Sequence, residues 1–297
     1  MHIVRSEFNR GLLARWAVAV LLAVLTGCLA PSSPGSAEAA LWFPNNPKAQ
    51  ALATASEQGN VAEVQRLMKV EGVNPDKIFS TEGLPLLIWP IYTKSPQGLK
   101  AMLESGADPN ARFPTPTVEK FKDGSVSVSY KNNAMVWAAK ADDPVYLKAL
   151  LDHGGNPDTR NSNNETLLFQ AFISGKQWEN VKLLVERRAN VNARSKGTTI
   201  LEDYAGGGGF MQAFWLLEHG ADPKLNFIRD PAAPSDQSHI IDAIFWHPGN
   251  PKDPTWQRKC QQWLLQHGYK RPPLSEQYRD MRQRLGFPYE ESQIPLL

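Results

Sequence analysis

Residues 102–112 read MLESGADPNAR: an apolar pair runs into Gly, Ala, Asp, Pro and Asn and closes on Arg. Three further stretches repeat the phrase: LLDHGGNPDTR at 150–160, LVERRANVNAR at 184–194 and LLEHGADPKLN at 216–226. A catalytic loop is rarely written four times, so the recurrence marks a scaffold unit. Aligning the glycine, or the residue in its place, gives Gly72, Gly106, Gly154, Arg188, Gly220 and Gly268, spaced by 34, 48, 34, 32 and 48 residues. Three spacings are close to one period, and two carry the same excess. The apolar residues before each glycine fit one face of a helix. The glycine supplies the left-handed conformation that ends it, and Asp108, Asn156, Asn190 and Asp222 suit the turn that follows.

This pattern resembles the ankyrin repeat, whose period is about 33 residues. The second helix and its exit match in AMLESGADPNAR, ALLDHGGNPDTR, LLVERRANVNAR and WLLEHGADPKLN. The family's first-helix phrase, TPLHxAA, survives only as an apolar frame. Its counterparts are Leu84–Pro90, Asn133–Ala139, Thr166–Phe172, Thr199–Ala205 and Ser238–Ile244, with Leu87, Val136, Phe169, Glu202 and Ile241 in place of the family's His. With a first unit from Lys48 to Pro75, the resemblance implies an all-α repeat solenoid of about six stacked repeats over 48–270. One excess segment, Phe113–Asn132, holds Asp123-Gly124 beside alternating Val126, Val128 and Tyr130, which predicts a β-ribbon insertion near 113–132. The other lies in the sixth unit, at Trp246–Asp253 and in a longer finger at Arg229–Gln237. Residues 271–297 are expected to form a capping helix, from Ser275 to Leu285, and a tail.

The N-terminus has a different character. Arg5, Arg10 and Arg15 precede the apolar run WAVAVLLAVL at 16–25. Ten helical residues rise only ~15 Å, half the hydrocarbon core, so the run predicts a signal h-region rather than a span. Leu25-Thr26-Gly27-Cys28 follows and resembles the lipobox of bacterial lipoproteins. The resemblance implies a signal peptide at 1–27 and acylation of Cys28. Leu29 and Ala30, with no acid after the Cys, favour the outer membrane by the same resemblance, with the chain facing the periplasm. Residues 28–47, rich in Pro, Ser and Ala, read as a tether.

Removing residues 1–27 takes away three Arg and one Glu, leaving 32 − 3 = 29 basic and 30 − 1 = 29 acidic residues. A neutral mature chain offers no basic face for nucleic acid. There are 2 cysteines in all, so no disulfide framework is expected, and Cys260 reads as a packing thiol. Gly206–Gly209 lacks the Lys-Ser/Thr of a phosphate loop and reads as a turn. His153, His219 and His267 precede the repeat glycine on separate units, too far apart to share a metal, and read as helix-end residues. No cofactor or metal is expected. His239, Asp242 and His247 are the one constellation offering a hydrolase alternative.

Binding of another protein is the function implied by the ankyrin resemblance. In that family the finger tips and the exposed end of the first helix line a concave groove. Motif position carries this to Ile91, Tyr92, Lys140, Ile173, Phe245 and Trp246, with Ala141, Ser174, Gly206 and Gly207 beside them. Fingers add Thr81, Glu82, Asn163, Glu165 and Lys196. Tyr92 and Trp246 stand out as aromatic anchors, whereas Trp137, Trp215 and Trp263 read as core. The long third finger, with Phe121 and Tyr130, reads as a partner-specific element. Periplasmic ankyrin lipoproteins resemble two kinds of partner-binder. One neutralises an antibacterial effector of lipase type, as an immunity protein, and is favoured here; the other supports a periplasmic enzyme. An envelope scaffold is a third reading.

Overall fold

The structure, a computed structural model, describes residues 34–120, 124–175, 177–225 and 239–296. The signal peptide, Cys28, Phe121 and the finger at Arg229–Gln237 lie outside the described residues. Among those described, no helix is long and apolar enough to cross a membrane.

The described residues form an all-helical repeat solenoid of six helix pairs. A first helix, α1 (Pro34–Trp42), precedes the repeats. The inner helices are α2 (Pro47–Glu57), α4 (Trp89–Tyr92), α6 (Ala134–Lys140), α8 (Leu167–Ile173), α10 (Ile200–Gly206) and α12 (His239–Trp246). Their outer partners are α3 (Val61–Gln65, continued by a π-helical turn at Arg66–Val70), α5 (Pro96–Glu104), α7 (Val145–Asp152), α9 (Trp178–Glu186), α11 (Phe210–Glu218) and α13 (Thr255–Gln266). Each inner helix packs on the next, and α14 (Glu276–Arg284) closes the stack against α12. Local chemistry sets the helix starts. Asn133, Thr166 and Thr199, which open the first-helix phrases, each accept a backbone N–H three residues on. One layer of apolar side chains then runs the length of the stack, with Leu52, Leu99, Met135, Leu147, Leu167, Leu184, Ile244 and Leu264 all fully buried. Burial of each contributes about 1.5–3 kcal/mol, and no single repeat could supply it alone.

The repeated phrase is the hinge of every unit. Gly72, Gly106, Gly154, Gly220 and Gly268 all have positive φ, and Arg188 adopts φ +67° in the same place. A side chain there costs about 1–2 kcal/mol, so the fourth unit ends its helix against a local preference. His153, His219 and His267 cap their helices: each Nδ1–H donates to the carbonyl four residues back, at 2.8, 2.7 and 2.7 Å. Two of these rings stack flat on Trp215 and Trp263.

The polar residues of the phrase join the units. Asp76 N–H donates to Asn74 Oδ1, Asp108 N–H to Asp76, and Asn110 N–H to Asp108. Asn156 N–H then donates to Asn110, Asp158 N–H to Asn156, and Asn190 N–H to Asp158. Asn192, Asp222 and Lys224 continue the series onto Asn190, Asn192 and Asp222. Bonds within a turn alternate with bonds between units, making one ladder across five repeats at 2.7–3.0 Å. Lys224 has no acceptor on its side chain and ends it. Beside this ladder runs a second: Arg112 donates to the carbonyl of Arg160, and Arg160 to that of Arg194.

One expectation is corrected. The segment read as a tether is folded from Pro34 onward: Ala39 and Phe43 are buried, Thr81 N–H donates to Trp42 C=O, and Asn46 caps α2. Its alanines are small enough to seat α1 against α2. The ribbon forms as β1 (Thr117–Lys120) and antiparallel β2 (Val126–Ser129), with Val118 opposite Val128. Helix α14 begins after Ser275, and the tail returns so that Ile294 is buried.

Candidate protein-binding groove

Between the second and third repeats the concave side opens into a cleft of about 760 Å³. Its apolar wall comes from the ends of two inner helices. Ile91 and Tyr92 close α4, while Trp137 and Lys140 lie one turn apart on α6. Tyr92 and Trp137 meet edge to face at 6.2 Å and 81°. Trp42 of α1 packs behind both, 5.0 Å from Tyr92 and 6.5 Å from Trp137, and stands on the buried Trp89 at 5.2 Å. Edge-to-face ring pairs contribute about 0.5–1.5 kcal/mol beyond burial, so the wall is a stiff aromatic block.

Charged groups ring this block. The Tyr92 hydroxyl donates to Glu38 of α1, and burial together with that carboxylate pushes the phenol up to about 12. Burial lowers the Lys140 ammonium, and the charge of Glu165 partly offsets this. Asp142 accepts from Gln177, and Asp143 Oδ1 accepts Val145 N–H at the start of α7. Glu82 and Lys94 complete the rim. The cleft therefore offers two aromatic faces, one half-buried and one exposed lysine, and three exposed carboxylates.

Of the residues expected to line the groove, Glu82, Ile91, Tyr92 and Lys140 meet in this cleft; Ile91 forms floor rather than surface, being 6% exposed. Thr81, at the finger tip, is exposed, but its N–H holds α1. Asn163 and Ile173 are exposed on the fourth repeat, outside the cleft. Tyr130 lies at the root of the ribbon. Glu165 is corrected: it is buried, accepts from Asn161 and Gln170, and pairs with Lys196 at 3.0 Å, fixing its own finger. Lys196 stays exposed while it pairs with Glu165 and lies 5.6 Å over the Phe169 ring. Phe245 and Trp246 are corrected too. Both are buried because the C-terminal segment folds over them, Arg271 lying 4.0 Å over the Trp246 ring and Arg282 donating to its carbonyl. Trp137, read as core, is only half-buried and is the missed groove residue. Its spacing of three from Lys140, on one helix face, was the available signal.

The His239–His247 region divides between two environments. Asp242 is buried and engages His239 and Ser275. His247 accepts Gly249 N–H on Nδ1, and burial and Arg282 lower its basicity. Its ring rests on Gly208, whose φ of +74° and contact with that ring call for glycine at this one position of the run. The two groups thus serve different partners. Cys260 is fully buried, with its thiol pushed up to about 12 by burial. Among the described residues no cluster of His, Cys, Asp and Glu could hold a metal. Sequence reading also missed a half-buried acid pair on α10: Glu202 is raised to about 7 and Asp203 to about 6, chiefly by desolvation.

Comparison with known proteins bears on the fold. Residues 120–226 match the family model "Ankyrin repeats (3 copies)". The ankyrin repeat domain of Bcl-3, described as a unique member of the IkappaB protein family, superposes with a TM-score of 0.51 at 23% identity, over 74% of this chain and 86% of that one. The ankyrin repeat protein EF0377 gives a TM-score of 0.51 at 20% identity, over 74% of this chain and 98% of its own. No curated protein matches by sequence. The fold is therefore the ankyrin-repeat solenoid, an architecture used as a non-enzymatic scaffold for protein–protein interaction.

Proposed function

We propose that this chain binds one partner protein in the cleft between its second and third repeats, held at the cell envelope by an acylated Cys28. The observation that carries the reading is the aromatic wall. Tyr92 and Trp137 are large, rigid and half-exposed, and such residues anchor interfaces because they bury area at little entropic loss. The anchoring part of the proposal rests on the basic n-region, the short apolar run and Leu25-Thr26-Gly27-Cys28. A dedicated partner suits the two long insertions, and a toxin neutralised in the periplasm is the favoured identity; an assisted enzyme of the envelope is the alternative.

The test is affinity capture from native envelope membranes with the full chain and with Trp137→Ala. One partner, retained stoichiometrically by the wild type and lost with Trp137→Ala, supports the cleft; equal capture by both sinks it. Deletion of the gene should sensitise cells to a kin-derived effector if the partner is a toxin. Mass spectrometry of the mature N-terminus, with Cys28→Ser as control, reads the acylation directly.

A further inference from the structure

The finger row carries a second surface, whose pocket shares no lining residue with the cleft. Across the ribbon Val118 faces Val128 and Lys120 faces Val126. Cross-strand partners share a face, so three valines stand on one side, and Thr117, Glu119 and Ser129 belong to the other. The valines are 52–54% exposed, and Tyr130, which continues the alternation, is 44% exposed. A two-stranded ribbon is marginal by itself and leaves backbone groups unpaired along both edges.

At the root of this face lies a pocket of about 690 Å³, lined by Tyr130, Arg112, Arg160, Asn133, Asn156 and Asp158 among others. Both guanidinia are partly buried. Arg112 spends one N–H on the carbonyl of Arg160, and Arg160 spends Nη1 on the carbonyls of Asn164 and Arg194. Of five N–H donors each, the majority have no hydrogen-bond partner among the described residues. Among the described residues no carboxylate forms an ion pair with either. Asp158, in the same pocket, is turned to the amide of Asn190. Asn133 is 1% exposed, and its Nδ2 has no hydrogen-bond partner among the described residues. Two cations and a buried amide donor therefore line one pocket, and its one carboxylate, Asp158, pairs with neither arginine among the described residues.

We infer that the ribbon and its root form a second docking surface, which takes an extended acidic segment of a partner protein. The segment adds as a strand to a ribbon edge, lays alternate apolar side chains beside Val118, Val126 and Val128, and seats a carboxylate between Arg112 and Arg160. Strand addition supplies backbone bonds, and a carboxylate matches guanidinium geometry two bonds at a time. The surface is separate from the cleft and does not rest on the groove reading.

The probe is a fluorescein-labelled (Glu-Val)4 peptide, titrated with the full chain and read by fluorescence anisotropy. Saturable binding is expected, falling with salt. It should weaken about tenfold or more in R112Q/R160Q, as loss of a charge-assisted pair does, weaken several-fold in V118T/V128T, and stay unchanged in Trp137→Ala. A (Lys-Val)4 peptide should not bind. The arginines also brace neighbouring fingers, so an unfolded R112Q/R160Q would leave the decision to V118T/V128T, whose side chains are exposed. No binding by the wild type up to about 1 mM, equal binding of both peptides, or equal binding by V118T/V128T overturns the inference. Loss in Trp137→Ala alone assigns the peptide to the cleft, which overturns this surface and leaves the groove reading intact.

Discussion

Replacing Asn110 by Ala should loosen the joint between the second and third repeats without touching the core. The side chain accepts Asn156 N–H at 2.8 Å and donates to the carbonyl of Gly154 at 3.0 Å, so one substitution removes both bonds between units. Each such bond is worth about 0.5–1.5 kcal/mol net. Both are solvent-exposed, and water can replace the lost partners, which places the sum near the low end, at about 1–2 kcal/mol. For a chain of this size that lowers the melting temperature by about 2–4 °C per kcal/mol. Asn110→Asp keeps the acceptor and loses the donor, so its loss should be about half as large. Lys224→Ala, at the end of the ladder, should be neutral within about 0.5 kcal/mol. Thermal and urea unfolding followed by circular dichroism measure all three, and hydrogen exchange at the Asn156 amide locates the effect. If Asn110→Ala matches the wild type, the apolar layer alone sets the register of the repeats. If Asn110→Asp is as damaging as Asn110→Ala, the acceptor half of the ladder does nothing.

Arg188→Gly should stabilise the chain by about 0.5–1 kcal/mol, the relief of left-handed backbone less the added freedom of the unfolded chain; a loss in the unfolding midpoint would show that the Arg188 side chain matters more than its φ. Glu202 is raised from 4.5 to about 7. The folded state therefore holds a proton that the unfolded state releases, and this contribution to stability falls as pH rises through that window. His247, lowered by burial, slopes the opposite way, so the check is the difference between wild type and Glu202→Gln, which should be more stable at pH 7.5 and converge at pH 4.5; parallel curves would remove Glu202 from the pH dependence. The Cys260 thiol, at about 12 and fully buried, should resist a thiol reagent at pH 7.5 until the chain unfolds, with labelling located by peptide mass; fast labelling in the folded state would contradict its packing.

The scaffold was legible because its signal is periodic. Even Arg188, which breaks the glycine rule, sits at the expected place and takes the glycine's backbone conformation. The ribbon was legible for the same reason, as Asp-Gly beside alternating valines leaves little else for a short segment to do. What escaped was set by tertiary contact. Trp137 was read as core because tryptophan usually is, yet the cleft beside Lys140 leaves half of it open. Trp246 was read as groove from its motif position, which carries no information about a tail folding back from 20 or more residues downstream. Composition misled at 34–47, where small residues suit a linker and suit close packing of α1 equally well. The Asx residues of the turns were assigned to turning the chain; their reach into the next unit needs the stacked geometry to appear.

Those misreadings share a cause, and it narrows where a partner can bind. The two ends of the concave surface are occupied by the chain itself: α1 places Trp42 and Glu38 against Tyr92, and the C-terminal segment places Arg271 and Arg282 against Trp246. A terminal repeat has one apolar face with no neighbour, and covering it with a polar-backed segment is the physical requirement of any finite stack. The same requirement removes Phe245 and Trp246 from the groove and sets Trp42 against the groove's aromatic wall. An aromatic wall stays open where the second and third repeats meet, beside the unit whose finger grows into the ribbon. The cleft and the ribbon both belong to the third repeat, one at its inner helix and one at its finger. A partner engaging both would read this single unit, and the other repeats would serve to hold it rigid.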